Sequence, residues 1–254
     1  MLKDVQGQSD ARQIPLKQVG INNLSWPLVV KDPRLGQQHT VGKVSLAVNL
    51  PHHQRGTHMS RFVEVLGAMK LVEPSAVENL LDSLKEKLEA QKATMTMSFP
   101  YFIMKKAPVS GAQAPLEIKC TYEAEKNEKF HFRMIVEVPV HTLCPCSKEI
   151  SDCGAHNQRA IAKMEIEAKQ FIWLEELVEI AEKAASSPIY SLLKRPDEKF
   201  VTEEAYAHPR FVEDAVREMA ILLEEEKRVD WYRVTVESME SIHNHNAFAC
   251  VEKE

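Results

Sequence analysis

The stretch Val41-Gly42-Lys43-Val44-Ser45-Leu46-Ala47-Val48-Asn49-Leu50 sets Val44, Leu46 and Val48 against Lys43, Ser45 and Asn49, the period-two alternation of a strand with one buried face. Beyond Pro51 the period changes. Met59, Phe62, Val63, Leu66 and Met69 recur at helical spacing, with Thr57 placed to cap their N-terminus. Glu73-Pro74-Ser75 interrupts, and Val77, Leu80, Leu81, Leu84 and Leu88 then repeat at intervals of three and four over about 75–91. A strand followed by two helices is the predicted unit, and the rest of the chain is read outward from it.

Downstream, residues 94–105, 115–123, 130–142 and 158–169 alternate β-branched and aromatic side chains with polar ones and are predicted as strands. Helical patterns follow at about 173–185 and 210–226, then strands at about 230–240 and 246–252. The order β, αα, ββ, ββ, αα, ββ predicts an α+β fold, a duplicated unit of antiparallel sheet and helix pair, although no self-similarity of sequence accompanies it. Exposed edges of such sheets must be paired or covered, and closing a barrel between subunits is one way. Upstream, Pro15, Pro27 and Pro33 and the lack of periodicity predict an irregular arm over residues 1–40, lying along a partner subunit.

The 254 residues carry 32 Lys+Arg against 37 Asp+Glu, a net charge of −5, and 44% are hydrophobic. Such a chain can bury a sizeable core. A dedicated nucleic-acid binder would show a basic excess, so an anionic ligand must meet a local basic cluster. Met1 to Gly20 mixes Lys3, Asp4, Asp10, Arg12 and Lys17 with Gln and offers no apolar core for a signal peptide. No apolar run approaches the roughly 18 residues of a spanning helix, so a cytoplasmic protein without membrane or nucleic-acid partners is expected.

Of the five cysteines, Cys144, Cys146 and Cys153 are crowded together and do not read as a disulfide framework. In Leu143-Cys144-Pro145-Cys146-Ser147-Lys148-Glu149 the thiols stand two positions apart, awkward for joint chelation. One thiolate on a metal, with the other as acid, base or redox-sensitive group, is easier to build; two buried structural cysteines are the alternative. Gly154-Ala155-His156-Asn157-Gln158-Arg159 places His156 just before a strand, where it can share an ion with Cys144. Cys and His together favour zinc or a similar borderline ion.

Glu240-Ser241-Ile242-His243-Asn244-His245-Asn246 closes a strand pattern with two histidines on one face. Glu240 joins them only if the chain turns near Ser241. Arg55-Gly56-Thr57-His58-Met59-Ser60-Arg61 opens a helix, where free N–H groups and two guanidiniums suit phosphate oxygens, or merely a solvated cap. His208-Pro209-Arg210-Phe211-Val212-Glu213-Asp214 opens another, where acidic residues most simply complement the helix dipole.

Taken in this order, these blocks resemble the type IB (prokaryotic) GTP cyclohydrolase I enzymes of the tunnelling fold. The resemblance spans residues 50–247 and implies opening of the GTP imidazole ring, release of formate and formation of 7,8-dihydroneopterin triphosphate by a bimodular catalytic domain over 41–254. It also implies a homotetramer with sites between subunits, and a divalent metal (Zn, Mn or Fe) on Cys144, His156 and Glu198. Composition alone reads Glu198, in Arg195-Pro196-Asp197-Glu198-Lys199, as a solvated loop carboxylate.

In that chemistry water adds at C8 of the purine. His243, supported by Glu240 and His245, is expected to shuttle protons, and Cys146, beside Lys148, to exchange protons with the opened intermediate. Glu213 is the expected acceptor of guanine N1–H and N2–H₂, and Arg55, His58, Arg61, Lys148 and Arg159 are the expected triphosphate contacts. Among competing readings, a redox-regulated zinc protein would use C-x-x-C spacing, where this chain has Cys144-Pro145-Cys146. A nucleobase deaminase would need H-x-E followed by P-C-x-x-C, and this sequence has neither. Another purine- or pterin-binding tunnelling-fold enzyme, such as an NADPH-dependent nitrile reductase, would not need the His156 metal site.

Overall fold

The structure, a computed structural model, describes residues 5–253. They divide into two compact units: the first runs to Pro100 and takes in Thr121–Arg133, and the second holds Tyr101–Cys120 and the chain from Met134 onward. The boundary runs through three strands, β3 (Ala93–Lys106), β4 (Gln113–Lys126) and β5 (Phe130–Leu143).

In the first unit β1 (Leu16–Asp32) pairs antiparallel with β2 (Gly36–Leu50), which pairs with β3. Val44, Leu46 and Val48 of β2 are buried as their alternation requires, in register with the buried Met97, Met95 and Ala93 of β3. The helices α1 (Met59–Gly67) and α2 (Pro74–Lys87) bury Phe62, Leu66, Val77, Leu81 and Leu84, each contributing about 1.5–3 kcal/mol by leaving water. Thr57 does not cap α1; the N-cap is His58, whose side chain makes no capping hydrogen bond to the helix.

The irregular arm expected over 1–40 is corrected: regular structure begins at Leu16, and β2 begins at Gly36 rather than near 41. β1 is exposed or half-buried for most of its length and buries only Leu28, Val30 and Asp32 at its end, and its two register shifts break the alternation of its apolar residues. Pro27 is tolerated because β1 is the last strand of its sheet. The register shifts between Leu16 and Val19 and between Ile21 and Leu24, where Asn23 has φ of 57°. Gly20 sits where a Cβ would meet Leu46 O at 1.9 Å. The hairpin closes through the Asp32 carboxylate, which accepts from Arg34 N at 2.8 Å and Leu35 N at 2.7 Å, and through Gly36 at φ of 77°.

In the second unit the strand order runs β5, β6 (Asn157–Ala168), β8 (Val229–Ser238), β9 (Ala247–Glu252), with the two-residue β7 (Ser187–Pro188) on β5. The helices α4 (Leu174–Ala184) and α6 (Val212–Glu225) bury Leu177, Val178, Val216, Met219 and Leu223. Two helices were not legible, the six-residue α3 (Pro145–Ile150) and α5 (Arg195–Ala207). With β1 in place the element order of the first half is ββααββ, and that of the second repeats it with α3, β7 and α5 added.

Fully buried Asp197 anchors the start of α5. Its carboxylate accepts from the backbone N–H groups of Val109, Ser110 and Lys194 at 2.7–2.8 Å and from Ser110 Oγ at 2.6 Å. Burial pushes this carboxyl up, but the four donors outweigh it and hold it well below the usual carboxylate range. No helix among the described residues is long and apolar enough to cross a membrane.

Candidate active site

β5 delivers Thr142 and Leu143 into the core and then ends, and Cys144 becomes the N-cap of α3. Its Sγ accepts from Ser147 N at 3.3 Å, and Pro145 opens the helix, where no N–H is needed. The chain returns through Gly154 at φ of 74° to hold His156 beside it. Cys144 N donates to His156 O at 3.1 Å, and His156 N to Ser147 Oγ at 3.1 Å. The backbones that carry sulfur and imidazole are thus joined directly and through the Ser147 hydroxyl.

β8 ends at Ser238, and the chain turns, with His243 N donating to Glu240 O at 3.2 Å. His243 and His245 therefore lie in a turn rather than on one face of a strand, and their rings stack at 5.0 Å with an interplanar angle of 17°. The condition set for Glu240 is met by this turn: its carboxylate comes within 3.7 Å of His156 Nδ1. His243 stands edge-on to His156 at 6.4 Å between ring centroids.

A cavity of about 400 Å³ gathers Cys144, His156, Glu213, Glu240, His243 and His245. Arg210 and Glu213 reach it from the start of α6, which is tied to the end of β5 by Arg210 N donating to Leu143 O at 3.0 Å. The remaining expected residues stand elsewhere. Cys146 is exposed on α3 and does not line the cavity. Lys148 Nζ donates to Tyr206 O at 2.5 Å and lies 4.3 Å from the Tyr206 ring centroid. Arg159 lines a second cavity of about 270 Å³ with His141 and Tyr190. In the first unit Arg55 donates to Gln8 Oε1 and Arg61 to Lys87 O, and His58 caps α1.

Glu198 corrects its expected setting: it lies in the first turn of α5, not in a loop, exposed and outside the lining of the Cys144 and His156 cavity. Among the described residues no three His, Cys, Asp or Glu side chains are grouped to hold a metal ion. Cys144 and His156 fit a borderline divalent ion as a two-donor pair; the third donor is not assembled with them.

Gln158 is the residue that the sequence reading missed. It is buried, on the same face of β6 as Ala160 and Ala162, and a polar side chain on a buried face was the available signal. Its Nε2 faces Thr142 Oγ1 at 3.3 Å and Glu240 Oε1 at 3.4 Å, and its Oε1 faces His156 Nδ1 at 2.9 Å. A carboxylate only accepts, so the amide nitrogen belongs on the Glu240 side and the amide oxygen on the His156 side. His156 must then carry its proton on Nδ1, leaving Nε2 with a lone pair for a ligand or proton. In Gln158→Met, nitrogen NMR of the metal-free protein should show His156 mixing tautomers, with kcat about 10–100-fold lower. An Nε2–H imidazole at this position in the unsubstituted protein would refute the arrangement.

A family model described as type I GTP cyclohydrolase folE2 matches residues 2–249. GTP cyclohydrolase FolE2 of Thermotoga maritima is 58% identical over 252 residues, covering 99% of this chain and 97% of that protein. GTP cyclohydrolase FolE2 of Caldicellulosiruptor saccharolyticus is 56% identical over 251 residues, covering 99% and 98%. Among solved structures, uricase from Arthrobacter globiformis superposes with a TM-score of 0.55 at 9% identity, covering 99% of this chain and 94% of that one. Urate oxidase from Bacillus sp. TB-90 gives 0.55 at 10% identity, covering 93% and 99%. At such identities these two structures speak for the fold alone, the α+β tunnelling fold.

Proposed function

The chain belongs to the type I GTP cyclohydrolase FolE2 family, and from that membership we propose that it is a GTP cyclohydrolase. It adds water at C8 of GTP, opens the imidazole ring, releases C8 as formate and recloses the product as 7,8-dihydroneopterin triphosphate, the first step of folate synthesis. The observation that carries this reading is the single cavity in which Cys144, His156, Glu213, Glu240, His243 and His245 meet. Two carboxylates and three imidazoles around a base-sized space suit a reaction that moves protons on and off ring nitrogens.

In this reading Glu213 accepts from guanine N1–H and N2–H₂ and fixes the base. His243, stacked on His245 and close to His156, delivers a proton to N7 as the C8 bonds break. Glu240, held by Gln158, orients His156. A divalent ion (Zn, Mn or Fe) on Cys144 and His156 belongs to the proposal, and when bound it supplies an acidic water; Glu198 as a third ligand rests on the family resemblance. Cys146, outside the cavity, receives no step. Arg159 keeps the triphosphate role because its cavity shares Gln158 with the first. Lys148, Arg55, His58 and Arg61 stay in it by resemblance only. A cytoplasmic homotetramer, with sheets closing into barrels and sites at subunit interfaces, completes the reading.

The experiment is incubation of metal-free and metal-reconstituted protein with GTP, assaying formate and the fluorescent pterin obtained by oxidising the product. Metal-dependent appearance of both is the expected result, and metal binding with neither product would sink the reading. Glu213→Gln should raise the GTP KM and erase the preference for GTP over ITP, because an amide cannot accept from both donors. Steady-state kinetics with the two nucleotides check this, and an unchanged preference would remove Glu213 from the base site.

A further inference from the structure

Arg210 is given no role in the proposal above, yet it lines the cavity beside Glu213, and its Nε is buried without a hydrogen-bond partner. That Nε is sealed by the protein itself, so it is the terminal nitrogens of this donor-only guanidinium, which make no hydrogen bond to another described residue, that are left to donate to an acceptor entering the cavity. The chain holds Arg210 in this position through its backbone, Arg210 N donating to Leu143 O, and not through its side chain.

We propose that Arg210 donates to the 6-oxygen of guanine, making it a specificity-determining residue of the base site. The proposal rests on the reading of Glu213 as the acceptor for N1–H and N2–H₂. The pairing edge of guanine runs donor, donor, acceptor across N2, N1 and O6, and a carboxylate cannot serve the last of these. A guanidinium is donor-only, so Glu213 and Arg210, three residues apart at the opening of α6, together supply acceptor and donor in the matching sense. Adenine presents an acceptor at N1 to the carboxylate and a donor at N6 to the guanidinium, a mismatch at both ends, and desolvated mismatches of this kind give the largest discriminations that binding sites achieve. Phe211 and Phe248 line the same cavity and offer faces for the purine plane.

The test compares kcat/KM for GTP, 6-thio-GTP and ITP in the metal-reconstituted protein and in Arg210→Met, Arg210→Lys and Glu213→Gln. Sulfur at position 6 is a weak acceptor with N1–H and N2–H₂ retained, whereas ITP lacks only the 2-amino group. Arg210→Met is expected to lower kcat/KM for GTP about 10–100-fold and to bring GTP and 6-thio-GTP to parity, with the GTP-to-ITP ratio unchanged. Glu213→Gln is expected to do the converse, and Arg210→Lys to recover part of the position-6 preference. Equal losses on GTP and 6-thio-GTP, or no loss on GTP, would overturn the role of Arg210 while leaving the cyclohydrolase reading intact. Absence of formate from GTP with the unsubstituted protein would overturn both.

Discussion

Replacing His156 by alanine is expected to lower the rate of formate release from GTP by about a thousand-fold or more, with the fold kept. His156 combines three roles at one ring. It lines the cavity with Cys144, to which its backbone is hydrogen-bonded, its Nδ1–H satisfies Gln158 Oε1, and its ring is close to both Glu240 and His243. Deleting the ring removes the Nε2 lone pair from the cavity and leaves Gln158 and Glu240 without the group that they orient. Bound divalent metal per chain should fall in parallel, which elemental analysis of dialysed protein measures independently of turnover. Wild-type metal content together with a rate within tenfold of the unsubstituted protein would exclude His156 from the site.

Asp197→Ala is expected to cost more stability than any other single side-chain deletion in the second unit, lowering the melting temperature by about 8–15 °C. The substitution strands the N–H groups of Val109, Ser110 and Lys194 and the Ser110 hydroxyl at once. The acid limb follows from the depressed carboxyl. Because its folded pKa lies below the unfolded value of about 4, the contribution is fully present above that pH and fades as pH falls through the folded value. Urea unfolding of the unsubstituted protein and Asp197→Asn at pH 7, 5, 4 and 3 should show a gap that is constant down to about pH 4 and narrows below it. A gap independent of pH would mean that the charge contributes nothing.

Most strands were legible because each has one wet face. β6 buries Ala160, Ala162, Met164 and Ile166 in strict alternation, and the two-residue period can be read directly. β1 has no buried face along its first half, and Pro27 within it, with Pro15 and Pro33 at its ends, argued against a strand. α5 buries only Asp197 and Ala205 along its length, so it has no apolar stripe to betray a helix, and α3 is too short for periodicity to appear. The candidate site was legible where residue types are chemically unusual, as in the crowded Cys144, Cys146 and His156 and in the His243 and His245 pair. Gln158 and Arg210 lay inside the same motifs and went unassigned because an amide and a guanidinium look like ordinary surface groups until their burial is known. Lys148 and Arg61 are the converse case: their charges suit phosphate, and in this structure carbonyls of the chain itself accept from them.

The hairpin formed by β1 and β2 has a kinetic meaning. Its strands pair from Asp32 and Gly36 back to Leu16 and Leu50, with only Pro33, Arg34 and Leu35 between them at the closed end and a turn organised by Asp32. Bringing such strands together sacrifices little chain entropy, and hairpins of this kind form within microseconds. β2 can thus gain a partner before α1, α2 and β3 have been ordered, shielding one of its edges from other chains during synthesis. The exposed, bulged and proline-bearing strand that conceals itself in the sequence is well suited to that task, since it pairs with β2 on one side and offers an irregular edge to a stranger on the other.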